Sequence, residues 1–221
     1  MITICMAGAC GRMGRRILEL TSGIENMAAG SALDLPALAG TEIAVTLSNG
    51  KEERLVVGAD SRAEIGKAQV LIDFTAPAAC LEHVAVAEAM KKPAVVGTTG
   101  LSAEQVEALK RFAQNIPVVY APNMSVGVNL LFKLTEEVAR RLGLAYNVEI
   151  VEAHHNLKKD SPSGTAVRLA EQAARGLGLS YPEEAVFGRE GIIGARPERQ
   201  IGVHAIRGGD IVGEHTVSFI G

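Results

Sequence analysis

A short apolar run at the start of the chain is followed by three evenly spaced glycines and then by a helical pattern. Residues 2–7 have the length and composition of a buried strand, and Gly8, Gly11 and Gly14 follow at intervals of three. Residues 15–19 then combine apolar and charged side chains with helical spacing. A strand, a glycine turn and a helix in this order are typical of a parallel α/β unit. The chain is therefore predicted to begin with a Rossmann-type strand and helix.

The alternation of strands and helices continues through the first half of the chain. Short apolar runs are separated by amphipathic runs and turn residues, as a parallel sheet requires. Further strands are predicted at residues 27–33, 55–57, 70–72, 93–96 and 116–120, and helices are predicted to begin at residues 77 and 102. We therefore expect an N-terminal Rossmann-type parallel sheet, in a dinucleotide-binding domain over residues 1–125.

The second half of the chain has a different pattern. Its predicted elements are a long helix at 126–142 that connects the halves, a strand at 148–151, a helix from 164, an extended loop at 177–199, and a hairpin at 201–219 that turns at Gly208 and Gly209. The apolar residues of the hairpin alternate with polar ones, which indicates an antiparallel or mixed sheet. The expected fold of residues 126–221 is a C-terminal α+β domain with a mixed sheet.

Composition and charge narrow the classes of function. The chain has 221 residues and a formal charge of −3 without charge blocks, so nucleic acid and anionic membranes are poor partners. No apolar run approaches the length of a membrane span. Cys5, Cys10 and Cys80 form neither a C-x-x-C pair nor a disulfide framework, and the chain starts in a strand-like run rather than a signal peptide. A cytoplasmic protein is expected.

The glycine turn indicates a dinucleotide site. Glycines at such a turn let the backbone approach a pyrophosphate at a helix N-terminus. The spacing is G-x-x-G-x-x-G, with Cys10 where a second glycine is usual, so a plain tight turn also fits. Asp34 ends the second apolar run, twenty residues after Gly14, where an acid accepts hydrogen bonds from an adenosine ribose. Leu35 follows, so no arginine holds a 2′-phosphate there, although Arg12 could do so.

Polar residues follow three of the predicted strands. They are Thr75 after Phe74, the Gly-Thr-Thr sequence at 97–99, and the segment 121–123. Ligands of parallel α/β folds lie beyond the carboxyl ends of strands, so these residues are candidates to line the nicotinamide half of a cofactor site. Ordinary turn chemistry would account for each segment alone, and three together favour a binding site.

Residues 152–166, EAHHNLKKDSPSGTA, hold the densest group of chemically capable side chains. His154, His155 and Lys158 precede a Ser-Gly-Thr helix start at 163–165, whose N–H groups and threonine hydroxyl would form an anion-binding corner. Imidazole and ammonium groups supply protons near neutral pH. A metal site is least favoured, because adjacent strand histidines point to opposite sides and no further His or Cys lies at ligand spacing. The segment predicts a carboxylate or phosphate substrate that receives a proton.

Six segments together resemble one family. They are AGACGRMG at 7–14, IDFTAP at 72–77, VGTTG at 96–100, NMSVGVN at 123–129, EAHHNLKKDSPSGTA at 152–166 and RGGDIVGEHTV at 207–217. In this order, over the whole chain, they are similar to dihydrodipicolinate reductase, also called 4-hydroxy-tetrahydrodipicolinate reductase. The resemblance implies a cytoplasmic, homotetrameric NAD(P)H oxidoreductase of lysine and diaminopimelate biosynthesis, with a second domain that binds substrate and forms the tetramer.

The resemblance also implies roles for individual residues. His154 and Lys158 would be the catalytic pair that supplies or steers the proton. The cyclic dicarboxylate substrate would be bound by His155, Ser163, Gly164 and Thr165. The cofactor would be held by Gly8, Ala9, Cys10, Gly11, Arg12 and Met13 at the pyrophosphate, by Asp34 at the adenosine ribose, and by Gly97, Thr98, Thr99, Ala121, Pro122, Asn123 and Met124 beside the nicotinamide. No metal is expected.

The chain departs from the family in two respects. Relatives often carry an arginine after the ribose acid, where this chain has Leu35, so we predict a preference for NADH over NADPH. Relatives also continue with another strand and a helix, so a shortened sequence and a naturally short protein are both open. The alternative functions are another NAD(P)-dependent dehydrogenase of a small dicarboxylate and, if the short C-terminus is natural, a non-catalytic dinucleotide-binding protein.

Overall fold

The structure is a computed structural model, and it describes residues 1–21, 23–46, 50 and 52–221. The chain divides into two compact units, Met1–Pro122 and Asn123–Gly221. Each unit holds its own sheet and its own hydrophobic core. Across the described residues, no helix is both long and apolar enough to cross a membrane.

Within its described residues, the first unit contains one seven-stranded sheet and four α-helices. Its elements are β1 (Ile2–Ala7), α1 (Arg12–Thr21), β2 (Met27–Leu33), β3 (Glu42–Thr46), β4 (Glu52–Gly58), α2 (Ser61–Gly66), β5 (Val70–Asp73), α3 (Pro77–Ala89), β6 (Ala94–Val96), α4 (Ala103–Phe112) and β7 (Val118–Tyr120). The strand order is β3-β4-β2-β1-β5-β6-β7, and neighbours run parallel except β3 and β4. The predicted Rossmann-type parallel sheet is confirmed.

Strand β1 lies inside this sheet, between β2 and β5. From β1 the chain moves to β2 and β4 on one side and later to β5, β6 and β7 on the other. Loops at the carboxyl end of β1 therefore diverge, and ligands of such folds bind at this reversal of strand order. The glycine turn follows β1 directly and so lies at that point.

Both faces of β1 are buried from Ile4 to Ala7, which explains the apolar sequence of these residues. Neighbouring residues Cys5 and Met6 point to opposite faces, and neither is exposed. Cys5 belongs to one core cluster with Leu71, and Met6 belongs to another with Leu18. A strand with helices on both sides has no face for polar residues, so the run of residues 2–7 was readily recognised as a strand.

Strand β3 and helix α2 were not predicted from the sequence. Strand β3 pairs antiparallel with β4 at the edge of the sheet, and its buried side chains include only Ile43 and Val45 among those described. Helix α2 has six residues, which is too short for a helical period to be distinct. Elements this short leave too few apolar positions for a pattern to be recognised.

The second unit is built around a mixed four-stranded sheet. Its elements are α5 (Val126–Leu142), β8 (Asn147–His154), α6 (Gly164–Leu177), β9 (Ala185–Phe187), β10 (Ile201–Arg207) and β11 (Glu214–Ile220). The strand order is β11-β8-β10-β9, with β10 parallel to β8 and β9, and β11 antiparallel to β8. Helix α5, predicted as the connection between the halves, belongs to this unit and packs on α6. The predicted α+β fold with a mixed sheet is confirmed.

The predicted hairpin at 201–219 is wrong. Strands β10 and β11 both pair with β8, one on each side of it, and the segment 208–213 crosses the end of β8. The alternation of apolar and polar residues predicts a strand but does not identify the strand with which it pairs. Here β10 and β11 each pair with β8 rather than with each other. The predicted loop at 177–199 also contains the short strand β9.

A network around the partly buried carboxylate of Glu149 lies on the sheet face away from α6. Val148 and Ile150 pack in the core with α6, so Glu149 between them points to the opposite face. Glu149 accepts hydrogen bonds from both terminal nitrogens of Arg189 (3.0 and 2.8 Å) and from Nε of Arg196 (2.8 Å). Burial raises the pKa of Glu149, but these donors and a neighbouring histidine outweigh it and lower the pKa to about 2.

The Glu149 network predicts a pH-dependent contribution to stability. The folded pKa lies below the ordinary value of 4.5, so the stabilisation is present above pH 4.5 and is lost as the pH falls towards 2. Glu149→Gln should lower the free energy of unfolding at pH 7 by about 2–3 kcal/mol, because two arginines lose their carboxylate. The difference in unfolding free energy between wild type and Glu149→Gln should become smaller as the pH falls from 6 to 3. Urea unfolding followed by circular dichroism measures it.

Glu53→Gln, at an exposed position of β4, is the matched control and should change stability little at either pH. A Glu149→Gln deficit that stays constant from pH 6 to pH 3 would contradict the assignment of the low pKa to this network.

Candidate active site

The glycine turn after β1 is shaped by close backbone contacts. Gly8 has a φ of +81°, and a side chain there would overlap the carbonyl oxygen of Phe74. A side chain at Gly14 would overlap the Gly8 carbonyl oxygen, so only glycine lets α1 approach the turn. Helix α1 begins at Arg12 and has no acidic residue in its first turn. Its N-terminal N–H groups therefore favour an anion at this position.

Asp34, at the carboxyl end of β2, is bound to the glycine turn. Its Oδ2 accepts a hydrogen bond from the backbone N–H of Cys10 at 2.8 Å, and its Oδ1 accepts one from Leu35 at 2.8 Å. The side chain is half-buried, and each carboxylate oxygen has a second lone pair for a ribose hydroxyl. The structure thus joins two features that the sequence indicated separately.

The other residues predicted at the pyrophosphate differ in exposure. Ala9 is fully buried, so only its backbone is available to a ligand. Arg12 and Met13 are exposed on the first turn of α1. Cys10 is half-buried, and burial together with the Asp34 carboxylate raises the pKa of its thiol, which is therefore neutral at pH 7. Cys10 contributes its backbone N–H rather than a thiolate.

One buried carboxylate holds together the strand ends predicted beside the nicotinamide. Asp73 is fully buried and accepts hydrogen bonds from the hydroxyls of Thr75 and Thr98 and from Nδ1 of His83, each at 2.7 Å. Burial raises the pKa of Asp73, but the hydrogen bonds from His83, Thr98 and Thr75 outweigh it, and the pKa is lowered. The ends of β5 and β6 are therefore fixed to each other and to α3.

This network assigns different positions to the predicted residues. Thr98 is 2% exposed, and its hydroxyl donates to Asp73 while it accepts the N–H of Thr75 at 2.8 Å. Thr99 is exposed, and Gly97 donates its N–H to the Asp73 carbonyl at 2.9 Å. The Thr98 hydroxyl thus has both hydrogen-bonding functions occupied. Asp73 and His83 were not predicted from the sequence, although an acidic residue at the end of an apolar strand was a signal for Asp73.

In the second unit, the carboxylate of Glu152 is fully buried on β8 and accepts four hydrogen bonds. Its Oε1 accepts from the backbone N–H of Ser163 at 3.0 Å and from Nη2 of Arg207 at 2.7 Å. Its Oε2 accepts from Nδ1 of His154 at 2.6 Å and from Nη1 of Arg207 at 2.7 Å. Burial raises the pKa of Glu152, but the bonds from Arg207, His154 and Ser163 outweigh it and lower the pKa to about 2.

His154 has a defined orientation as a result. A carboxylate only accepts hydrogen bonds, so His154 carries its proton on Nδ1 when neutral, and Nε2 is left for another partner. Its ring meets the ring of His215 edge to face, with centroids 5.2 Å apart. His215 Nε2 lies 2.8 Å from the Ser163 hydroxyl, and burial followed by the nearby His154 lowers the pKa of His215.

The predicted anion corner lies at the start of α6. Ser163 is the N-cap, and its hydroxyl accepts the N–H of Ala166 at 3.2 Å. Gly164 begins the helix, Thr165 is buried, and the first turn has no acidic residue. Asn123, predicted beside the nicotinamide, donates from Nδ2 to the hydroxyl of Thr165 at 3.3 Å. The backbone N–H groups of this first turn therefore favour an anion.

Lys158 lies in the loop between β8 and α6. Its Nζ donates to both carboxylate oxygens of Asp160 at 2.8 Å, and its side chain is 20% exposed, whereas Lys159 is exposed. The carbonyl of Asp160 accepts a hydrogen bond from Nη2 of Arg207 at 2.8 Å. Nδ1 of His155 is buried and has no hydrogen-bond partner among the described residues.

The remaining predicted residues lie at the boundary between the two units. Ala121 and Pro122 end the first unit, and Ala121 donates its N–H to the carbonyl of Val96 at 3.3 Å. Met124 is 41% exposed and belongs, like Asn123, to the second unit. Of the residues predicted beside the nicotinamide, those up to Pro122 therefore belong to the first unit and the others to the second.

Arg207, His215 and the role of Glu152 were not predicted from the sequence. Arg207 ends β10, and His215 on β11 lies opposite Glu152 of β8 in the antiparallel pairing. These side chains meet because β10 and β11 flank β8, which the predicted hairpin did not allow. The segment RGGDIVGEHTV was the available signal, since it carries both residues.

Family models match both halves of the chain. Residues 2–124 match the family model described as "Dihydrodipicolinate reductase, N-terminus", and residues 127–221 match the one described as "Dihydrodipicolinate reductase, C-terminus". The 4-hydroxy-tetrahydrodipicolinate reductase of Syntrophus aciditrophicus is 45% identical over 222 residues, which are 99% of this chain and 82% of that protein. The enzyme of the same name from Aromatoleum aromaticum is 46% identical over 220 residues, covering 100% of this chain and 80% of that protein.

Solved structures give the same result. Dipicolinate-bound dihydrodipicolinate reductase from Paenisporosarcina sp. TG-14 superposes with a TM-score of 0.68 and 26% identity, over 100% of this chain and 84% of that one. Aspartate semialdehyde dehydrogenase with NADP from Candida albicans, with a TM-score of 0.58 and 11% identity over 99% of this chain and 71% of that one, shares the fold. With both halves matched by its models, the chain belongs to the dihydrodipicolinate reductase family.

Proposed function

We propose that this chain reduces 4-hydroxy-tetrahydrodipicolinate to tetrahydrodipicolinate with a hydride from NAD(P)H, in lysine and diaminopimelate biosynthesis. The observation that carries the proposal is the arrangement around His154, a carboxylate-bound imidazole on the strand that leads to an anion-binding helix start. Relatives that match over nearly the whole chain have this activity as their name. The Paenisporosarcina enzyme binds dipicolinate, a planar dicarboxylate, which suits such a site.

The residues of the first unit fit a nicotinamide dinucleotide. The turn at residues 8–13 and the N-terminus of α1 would hold the pyrophosphate, and Asp34 would accept hydrogen bonds from the adenosine ribose. Residues 97–99 and 121–124 would border the nicotinamide. The bound nicotinamide supplies the hydride, and the residues of the chain position it and exclude water.

The residues of the second unit fit a dicarboxylate. Gly164 and Thr165 have first-turn N–H groups without an intrahelical acceptor, and they would bind one carboxylate. His155 would bind the substrate through its buried Nδ1, which has no hydrogen-bond partner among the residues that the structure describes. Ser163 donates its N–H to Glu152, and its hydroxyl contacts Ala166 and His215, so its contribution to substrate binding would be to cap this corner.

His154 and Lys158 are the proposed catalytic pair. Nε2 of His154 is not used by Glu152, so a protonated imidazole can donate a proton from Nε2. Nζ of Lys158 is paired with the carboxylate of Asp160. An anionic substrate would compete for this ammonium, which would then help to stabilise negative charge and direct the proton to the reacting carbon.

Removal of either catalytic side chain should slow turnover. With substrate formed in the assay from pyruvate and aspartate semialdehyde, and NADH loss followed by absorbance, His154→Ala and Lys158→Ala should each lower kcat by about 10²–10³-fold. The dissociation constant for NADH should change by less than about twofold, because neither residue belongs to the proposed cofactor site.

Lys159→Ala is the matched control, since Lys159 is the exposed neighbour of Lys158 and should retain wild-type kcat. Normal turnover in Lys158→Ala, or loss of NADH binding in either variant, would show that these residues are misplaced. NADH binding without any oxidation by the wild type would favour a non-catalytic dinucleotide-binding protein.

NADH is the proposed preferred cofactor. Leu35 is 64% exposed beside Asp34, and no cation at this position offsets the carboxylate. A 2′-phosphate would meet the negative charge of Asp34, so kcat/KM for NADH should exceed that for NADPH by about tenfold. Leu35→Arg should raise kcat/KM for NADPH by a similar factor, because it introduces a cation beside the phosphate.

Arg12→Ala distinguishes this explanation from one in which Arg12 binds the 2′-phosphate of NADPH. Arg12 is exposed on the first turn of α1 and is the other cation able to reach a 2′-phosphate. A wild type that prefers NADPH, with that preference lost in Arg12→Ala, would contradict the proposal.

A cytoplasmic homotetramer formed through the second unit is the proposed state of the protein, as the family resemblance implies. Light scattering coupled to size-exclusion chromatography should give about four times the chain mass. A mass equal to that of one chain, at micromolar concentration and with NADH present, would contradict it.

A further inference from the structure

Glu152 is bound to more parts of the second unit than any role stated above requires. Its carboxylate accepts hydrogen bonds from β8 through His154, from the cap of α6 through Ser163, and from β10 through Arg207. We propose that Glu152 is a positioning residue that sets both the proton-donating imidazole and the carboxylate-binding corner of this site. This inference rests on the proposed function, because it acts through His154.

Glu152 orients the imidazole of His154. The bond from Nδ1 of His154 to Oε2 of Glu152 is 2.6 Å long, and the side chain of His154 is only 12% exposed. The carboxylate accepts only, so it selects the tautomer with the proton on Nδ1. Nε2 is then the atom that takes up and delivers the proton. Its position is fixed, because the hydrogen bond from Nδ1 to Glu152 prevents rotation of the ring. Without Glu152, both tautomers and other ring rotations become available.

Glu152 also positions the start of α6. The other oxygen of Glu152 accepts the N–H of Ser163 at 3.0 Å, and Ser163 is the N-cap whose hydroxyl binds the N–H of Ala166. Gly164 and Thr165 follow it directly, so the position of the Ser163 backbone determines where their N–H groups point. One side chain therefore fixes the distance between the proton donor and the anion corner.

Arg207 holds the carboxylate of Glu152 in place. Its two terminal nitrogens bind both oxygens of Glu152 at 2.7 Å, a bidentate geometry, and Nη2 also donates to the carbonyl of Asp160 at 2.8 Å. Asp160 in turn pairs with Lys158. Arg207 thus keeps Glu152 ionised and extends its influence to the loop that carries the second catalytic residue.

Glu149 provides a matched comparison on the same strand. It is also a largely buried carboxylate bound by arginine side chains and a histidine, but it points to the opposite face of the sheet. Loss of either carboxylate removes the anionic partner of partly buried arginine side chains and should destabilise the unit. Only loss of Glu152 should disturb the chemistry.

Glu152→Gln is the test variant. Four donors surround the carboxylate, so the amide NH2 must face two of them, and one oxygen is lost to either His154 or Ser163. We expect kcat to fall about 10²-fold, close to the value of His154→Ala, with the KM for NADH changed by less than about twofold. The double variant Glu152→Gln/His154→Ala should have a kcat lower than that of His154→Ala by no more than about threefold, because Glu152 affects proton transfer through the imidazole, whereas its effect on the anion corner should raise the KM for the substrate.

The controls separate a positioning role from a structural one. Glu149→Gln should lose stability yet keep kcat within about twofold of wild type. If Glu152→Gln does not fold, Glu152→Met combined with Arg207→Met removes both charges of the ion pair, and it should show the same fall in kcat.

A kcat of Glu152→Gln within about threefold of wild type beside a slow His154→Ala, or a double variant in which the two losses multiply, would overturn the positioning role alone. A normal kcat in His154→Ala would overturn the proposed role of His154, and the positioning role with it.

Discussion

A carboxylate without exposed surface stays ionised only where donors replace the water that it has lost, and Glu152 is in this position. Arginine, histidine and a backbone N–H supply the replacement from three separate elements. Satisfying one buried charge therefore orients the ring of His154, the cap of α6 and the end of β10 at the same time. The local geometry of the proposed substrate site follows from this requirement.

The first unit uses the same physical device for a different purpose. Asp73 ends β5 without exposed surface, and its donors are Thr75 on the following loop, Thr98 after β6 and His83 on α3. The loops that follow β5 and β6 are the ones expected beside the nicotinamide. In both units an acidic residue at the carboxyl end of a central strand gathers the neighbouring loops. The exposed residues of those loops are then left for ligands, since the buried residues satisfy one another.

Local patterns were sufficient for much of this structure and insufficient for the rest. The glycine turn, Asp34 and the helix start at Ser163 were predicted because each depends on nearby residues, and the contact between Asp34 and Cys10 joined two such features. The hairpin was wrong because strand pairing is a tertiary property. The same error hid Arg207 and His215, which reach Glu152 only when β10 and β11 lie on opposite sides of β8.

The protonation state of the ring nitrogens of His154 tests the account most directly. Nitrogen NMR of protein labelled at its five histidines, with His154 assigned by its absence in His154→Ala, distinguishes protonated from unprotonated ring nitrogens. If Glu152 sets the imidazole, the neutral ring of His154 will carry its proton on Nδ1 and leave Nε2 unprotonated. A neutral ring protonated on Nε2, or an equal mixture of the two tautomers, would contradict the account.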